Sequence, residues 1–120
     1  MRKNNLTYLS KRDRAAIVNL VEDLNKHFGQ EFVQIKLFGS KIRGEETPES
    51  DIDVLIIVRE ESWELKHALF KRGARLSMEN NVLFNLHIIG QERWEWMKKI
   101  RFPLYRSIVE DEVEIEFASK

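Results

Sequence analysis

The chain has no cysteine, only two prolines and five glycines, and no excess of charge of either sign among its 120 residues. Without cysteine it can form no disulfide, no thiolate metal site and no cysteine nucleophile. Twenty basic residues balance twenty acidic ones, so the overall positive field that marks many nucleic-acid-binding proteins is missing. A long nucleic-acid substrate is therefore not implied.

Long hydrophobic runs are absent as well. The longest continuous apolar run, Val54–Val58, is far too short to span a bilayer. The first residues, Met1–Asn5, are not followed by an apolar stretch, so no signal peptide is expected. The length and the apolar fraction of 42% fit one globular domain over residues 1–120 with a modest core. We expect a cytoplasmic protein that does not contact a membrane.

Apolar residues at helical or alternating spacing predict eight elements in the order α-β-β-α-β-α-α-β. The helices are predicted from Ser10 to Gly29, from Ser62 to about Met78 with a break or bend near Gly73, after Gly90, and after Pro103. The strands are predicted over Phe32–Phe38, Asp51–Val58, Val82–Ile89 and Val113–Phe117, the last at an edge. This order predicts an α/β (α+β) fold in which helices pack on a small mixed sheet.

The second predicted strand carries two carboxylates at its start. Asp51 and Asp53 are two residues apart, so they point to one face of the strand with Cα atoms roughly 6.5 Å apart. The rest of the strand is apolar on both faces, which predicts a covered, central strand. Two carboxylates at the start of such a strand cost free energy of desolvation unless a cation or several hydrogen-bond donors compensate their charge. They could bind magnesium, or Asp51 could cap the loop while Asp53 pairs with Lys41 or Arg43.

Gly39 and Ser40 end the first predicted strand. If the first two strands pair antiparallel, this Gly-Ser pair lies at the same sheet edge as the two aspartates. Gly39 would let the backbone approach a ligand closely, and Ser40 offers a hydroxyl. Free N–H groups in a helical turn over residues 41–43 could face an anion. Hydrogen-bond donors that can bind phosphate, next to a metal-binding carboxylate pair, indicate a nucleoside triphosphate bound with magnesium.

Gly39-Ser40, ten residues and then Asp51-Ile52-Asp53 resembles the signature of the minimal nucleotidyltransferase domains of the DNA polymerase β superfamily. Arg43-Gly44 in the loop and the C-terminal stretch of residues 102–110 are also similar to that family, so the resemblance covers most of the chain. It implies transfer of a nucleoside monophosphate, usually from ATP, to a hydroxyl with release of pyrophosphate. It also implies that Asp51 and Asp53 hold two Mg²⁺ ions and that Gly39, Ser40 and Arg43 contact the nucleotide.

The family usually supplies a third carboxylate from the next strand, and this chain departs from that pattern. The third predicted strand contains no acidic residue, and it should run parallel to the second because a helix connects them. Asn85 is the candidate for the third position, with His87 next. Asparagine can ligate a cation but brings no charge. His87 could act as a base near neutral pH or be a core residue. The acidic run Glu110–Glu112 could supply the carboxylate or form a solvated turn.

Two functional classes follow. In the first, the chain is a magnesium-dependent nucleotidyltransferase whose acceptor lies on a partner. The resemblance implies a small helical partner of the HEPN type (a higher eukaryotes and prokaryotes nucleotide-binding domain), with this chain as the antitoxin of a toxin-antitoxin pair. In the second, the chain is a catalytically weak or inactive nucleotide-binding module that acts by binding a partner protein. Both classes leave open whether the chain forms a homo-oligomer.

Overall fold

The computed structural model describes residues 9–39, 51–111 and 113–115, and its elements follow the predicted order. The helices are α1 Lys11–Phe28, α2 Trp63–Asn80, α3 Gln91–Ile100 and α4 Pro103–Asp111. The strands are β1 Phe32–Phe38, β2 Ile52–Val58, β3 Phe84–Gly90 and β4 Val113–Ile115. A short 3₁₀ helix, Gly29–Glu31, joins α1 to β1.

Serine caps fix the starts of the two long helices. The Ser10 hydroxyl accepts a hydrogen bond from the Asp13 N–H at 3.0 Å, and the Ser62 hydroxyl accepts one from the Leu65 N–H at 3.0 Å. Each bond satisfies one of the backbone donors that a helix start leaves open. The first helix ends just before Gly29, as predicted. None of the helices in the described part of the chain is both long and apolar enough to cross a membrane.

The predicted break near Gly73 is wrong, because α2 is one unbroken helix of 18 residues. Gly73 is buried and faces Leu86 of β3. A Cβ atom added at Gly73 would lie 2.7 Å from Leu86 Cδ1, which is too close for a side chain to fit without displacement. The glycine therefore allows close packing of the helix on the sheet.

The four strands form one mixed sheet in the order β3-β2-β1-β4. β1 pairs antiparallel with both β2 and β4, and β2 pairs parallel with β3. The prediction of a parallel third strand is therefore confirmed, although this strand starts at Phe84 and not at Val82. β2 lies between β1 and β3, and each of its residues except Asp53 is at most 1% exposed.

Helices cover both faces of the sheet. On one face, α1 and α2 pack on the β2 residues Ile52, Val54, Ile56 and Val58. On the other, α3 and α4 pack on Leu55 and Ile57 through Trp94, Met97 and Ile108. Asp53 is two residues from Leu55 and four from Ile57, so its side chain points to the same, second face of the sheet, at the end that the core leaves open.

Candidate active site

The ends of three strands meet at one edge of the sheet. β1 ends at Phe38, whose Cα partner across the antiparallel pair is Asp53. β3 starts at the same edge because it runs parallel to β2, and Asn85 is the Cα partner of Asp53 on that side. The Ile52 N–H donates a hydrogen bond of 2.8 Å to the Leu83 carbonyl and so joins the two strand starts. This register brings residues from three separate segments around the Asp53 carboxylate.

Asp53 is the polar residue of an otherwise buried strand. Its side chain is 23% exposed, and its neighbours Ile52 and Val54 are buried. One carboxylate oxygen, Oδ1, accepts a hydrogen bond from Asn85 Nδ2 at 2.8 Å. Asp51 precedes the strand and is exposed. The two aspartates therefore differ in environment, with Asp53 held at the sheet and Asp51 in contact with solvent.

Gly39 lies directly beside the second carboxylate oxygen of Asp53. Its φ angle of 95° lies in a backbone region that residues other than glycine rarely adopt. A Cβ atom at this position would also collide with Asp53 Oδ2 and lie 3.1 Å from Asp53 Cγ. Both constraints require glycine here, and they bring the Gly39 backbone into close contact with the carboxylate.

His87 approaches the first carboxylate oxygen from β3. Its Nε2 atom lies 3.7 Å from Asp53 Oδ1, which is too far for a hydrogen bond. Nε2 is buried and has no hydrogen-bond partner among the described residues, although 29% of the side chain is exposed. The ring packs tilted against Phe38, with ring centroids 5.1 Å apart. His87 is thus partly a core residue, as one alternative from the sequence had it, but its nitrogen points toward the carboxylate.

The donor set at this edge suits a divalent cation. A half-buried carboxylate, an amide and a buried imidazole nitrogen lie within reach of one another, and such a buried nitrogen is costly if nothing binds it. Among the described residues, no group of three or more histidine and acidic side chains surrounds one position. A cation here would therefore complete its shell with water or phosphate oxygens, as Mg²⁺ usually does.

Three of the residues singled out in the sequence, Ser40, Lys41 and Arg43, lie outside the described residues. The same holds for the alternative in which Asp53 pairs with one of those basic residues. Of the candidate site residues, the structure brings together Gly39, Asp53 and Asn85. Their roles in nucleotide and metal binding remain predictions.

An open groove adjoins the site, and it was not predicted. It has a volume of about 830 Å³ and lies between α2 and the start of β3, with Phe70, Met78, Leu83 and Asn85 among its lining. The side chains of Phe70, Met78 and Leu83 are 49%, 83% and 54% exposed. The spacing of eight between Phe70 and Met78 could have indicated it, because these residues share a helix face beside the buried stripe that contains Leu69 and Leu76.

Comparisons with known proteins identify the family of the chain and support its fold. The family model described as the nucleotidyltransferase domain matches residues 17–115. A solved structure with a similar fold is described as the crystal structure of a mutant of the toxin-antitoxin MntA-HpeT. The similarity covers 88% of this chain and 72% of that chain, with a TM-score of 0.55 and 18% sequence identity. No curated protein matches the chain.

Proposed function

Because the chain belongs to the nucleotidyltransferase domain family, we propose that it transfers AMP from ATP to a hydroxyl of a partner protein. A divalent cation, which we propose to be Mg²⁺, assists this transfer. The observation that carries this proposal is the position of Asp53. Its carboxylate stands at the open end of a covered strand, between a glycine with a φ angle of 95° and two polar side chains of the next strand.

The proposed reaction gives a role to each of five candidate residues. Asp53 and the exposed Asp51 would hold the cation, which when bound supplies positive charge to the triphosphate. Gly39 leaves its backbone open to a phosphate oxygen, and we propose Ser40 and Arg43 as further nucleotide contacts. In the transfer, the acceptor oxygen forms a bond to the α-phosphorus. The bond from that phosphorus to pyrophosphate breaks, and the hydroxyl proton passes to solvent.

The acceptor is proposed to be a protein, and this chain the antitoxin of a HEPN-type toxin-antitoxin pair in the cytoplasm. The similar structure is described as a toxin-antitoxin assembly, which supports this choice. The groove along Phe70, Met78 and Leu83 reaches Asn85, which donates a hydrogen bond to Asp53. A partner seated on these exposed apolar side chains would therefore have its surface next to the proposed site of transfer.

A second candidate function is nucleotide binding without turnover, in which the chain acts by holding its partner. One observation favours it. The third position is occupied by the amide of Asn85, which donates its hydrogen bond to Asp53 and adds no negative charge. A second cation would be held more weakly at such a site, and the charge that develops during transfer would be less well stabilised.

Incubation with labelled ATP, Mg²⁺ and the product of the neighbouring reading frame tests the proposal. We expect the partner to gain mass in units of AMP, measured on the intact protein, and the gain to disappear in the Asp53→Asn variant. A stable complex of unmodified partner would select the binding module instead. Absence of both a complex and a mass gain would contradict both candidates.

A further inference from the structure

The nitrogen of His87 has no explanation in a magnesium site built from carboxylates. Its buried Nε2 lacks a hydrogen-bond partner among the described residues, yet it lies 3.7 Å from Asp53 Oδ1. Two ligand atoms that each lie about 2.1 Å from one metal ion are about 3.0 Å apart at a right angle and about 4.2 Å apart when opposite. The observed separation lies between these two values and corresponds to an angle of about 120° at such an ion, so a small shift of either side chain would bring both atoms into its coordination shell.

Asn85 supplies a third possible metal ligand from the same face of the sheet. Its Nδ2 lies 2.8 Å from Asp53 Oδ1, which is the favourable arrangement when the carboxylate has no cation beside it. The amide oxygen and nitrogen have nearly the same shape, and a half-turn of the amide exchanges them. With a cation bound at Asp53 Oδ1, this turn would present the Asn85 oxygen to the ion in place of the N–H donor.

We infer that Asp53, Asn85 and His87 form a mixed oxygen and nitrogen site that binds a first-row transition-metal dication, such as Mn²⁺, more tightly than Mg²⁺. Imidazole is a good ligand for first-row transition metals, whereas Mg²⁺ selects oxygen ligands and water. Mg²⁺ would still bind through the carboxylates, but it would gain little from His87. This inference rests on the proposed function only in that Asp53 must hold a cation.

Metal binding by the full chain, without nucleotide or partner, tests the inference at pH 8, where protons compete little with the metal. The probes are Mn²⁺, whose binding is monitored by electron paramagnetic resonance, and Mg²⁺ as its competitor. We expect the wild type to bind Mn²⁺ at least about tenfold more tightly than Mg²⁺. His87→Gln should remove most of this preference. His67→Gln, which changes an exposed histidine stacked on Trp63, is the matched control and should keep it.

A spectroscopic readout separates direct ligation from a structural role of His87. Pulsed resonance of bound Mn²⁺ should show coupling to a ligand nitrogen in the wild type. The chain has three histidines, so the double variant His27→Gln/His67→Gln leaves His87 alone and should retain the coupling, even if His87→Gln does not fold. Loss of the coupling in this double variant, its absence from the wild type, or no Mn²⁺ binding at all would overturn the inference.

The outcome also distinguishes this inference from the proposed function. If Asp53→Asn abolishes binding of both ions while His87→Gln leaves their ratio unchanged, the mixed site is refuted and the carboxylate site stands. If the partner gains no AMP but Mn²⁺ shows nitrogen coupling, the metal site stands and the transferase proposal fails.

Discussion

Glu61 joins three segments at the end of the sheet opposite the candidate site, and its removal should destabilise the fold in a pH-dependent way. Its carboxylate accepts hydrogen bonds from the Gly90 N–H at 2.8 Å and from Arg93 Nε at 2.7 Å, and Lys66 Nζ lies 2.8 Å from it. Arg93 above all, followed by Lys66 and the Gly90 N–H, lowers the pKa of Glu61 from 4.5 to about 2, against an opposing effect of burial.

The magnitude follows from this pKa difference. A shift from 4.5 to about 2 corresponds to a ceiling of about 3.4 kcal/mol at 1.36 kcal/mol for each pKa unit. The Glu61 side chain is 26% exposed and that of Arg93 50%, so solvent screening reduces the usable part to about 1–2 kcal/mol. Since the folded pKa lies below the unfolded one, this stabilisation is complete above pH 4.5 and is lost as the pH falls toward 2.

Urea unfolding of the wild type and of Glu61→Gln checks this reasoning. At pH 7 we expect the variant to lose about 1–2 kcal/mol of unfolding free energy, and the difference should shrink between pH 4.5 and pH 3. Glu79→Gln is the matched control, because Glu79 forms an exposed pair with Arg75 and should change stability by less than about 0.5 kcal/mol. Equal stability of Glu61→Gln and wild type at pH 7, or a loss that does not depend on pH, would refute the reasoning.

Three further predictions concern the site and its surroundings. Asn85→Asp should raise transfer to the partner, measured by label incorporation, because it restores a negative charge beside Asp53; an inert variant of an active parent would show that the third position lies elsewhere. Gly39→Ala should weaken ATP binding in calorimetry and cost about 1–2 kcal/mol of unfolding free energy, since it combines a φ angle of 95° with a collision at Asp53; unchanged binding would contradict the close approach of phosphate. Met78→Glu should weaken partner binding without changing ATP binding, whereas the control Ile100→Glu, at an exposed apolar residue of α3 outside the groove, should change neither; equal effects of the two would argue against the groove.

The sequence was sufficient for the element order and for the edge at which the candidate site lies. The continuous apolar run of β2, with Asp53 as its polar exception, indicates a strand covered on both faces, and the helical connection indicates a parallel β3. These signals are local, or follow from general rules of chain connection. They predict that Asp53 and Asn85 lie near one another at the same sheet edge, and the register pairs them as Cα partners.

The remaining features depend on contacts between distant segments. A glycine such as Gly73 inside a helical pattern suggests a helix break, but the packing of Leu86 against it explains why glycine is needed in an unbroken helix. Glu61 looks like a solvated loop residue, and only the arrival of Gly90 and Arg93 makes it a structural junction. The unpartnered nitrogen of His87 follows from the packing of its ring on Phe38, which periodicity cannot reveal.

ATP binding by the double variant Asp51→Asn/Asp53→Asn, measured by calorimetry with and without Mg²⁺, tests most directly whether the edge formed by β1, β2 and β3 is a nucleotide and metal site. We predict that the variant loses Mg²⁺-dependent ATP binding while its circular dichroism and unfolding free energy stay at or slightly above those of the wild type, because removal of negative charge relieves repulsion at the edge. Mg²⁺-dependent ATP binding that is unchanged in the folded variant would contradict the account.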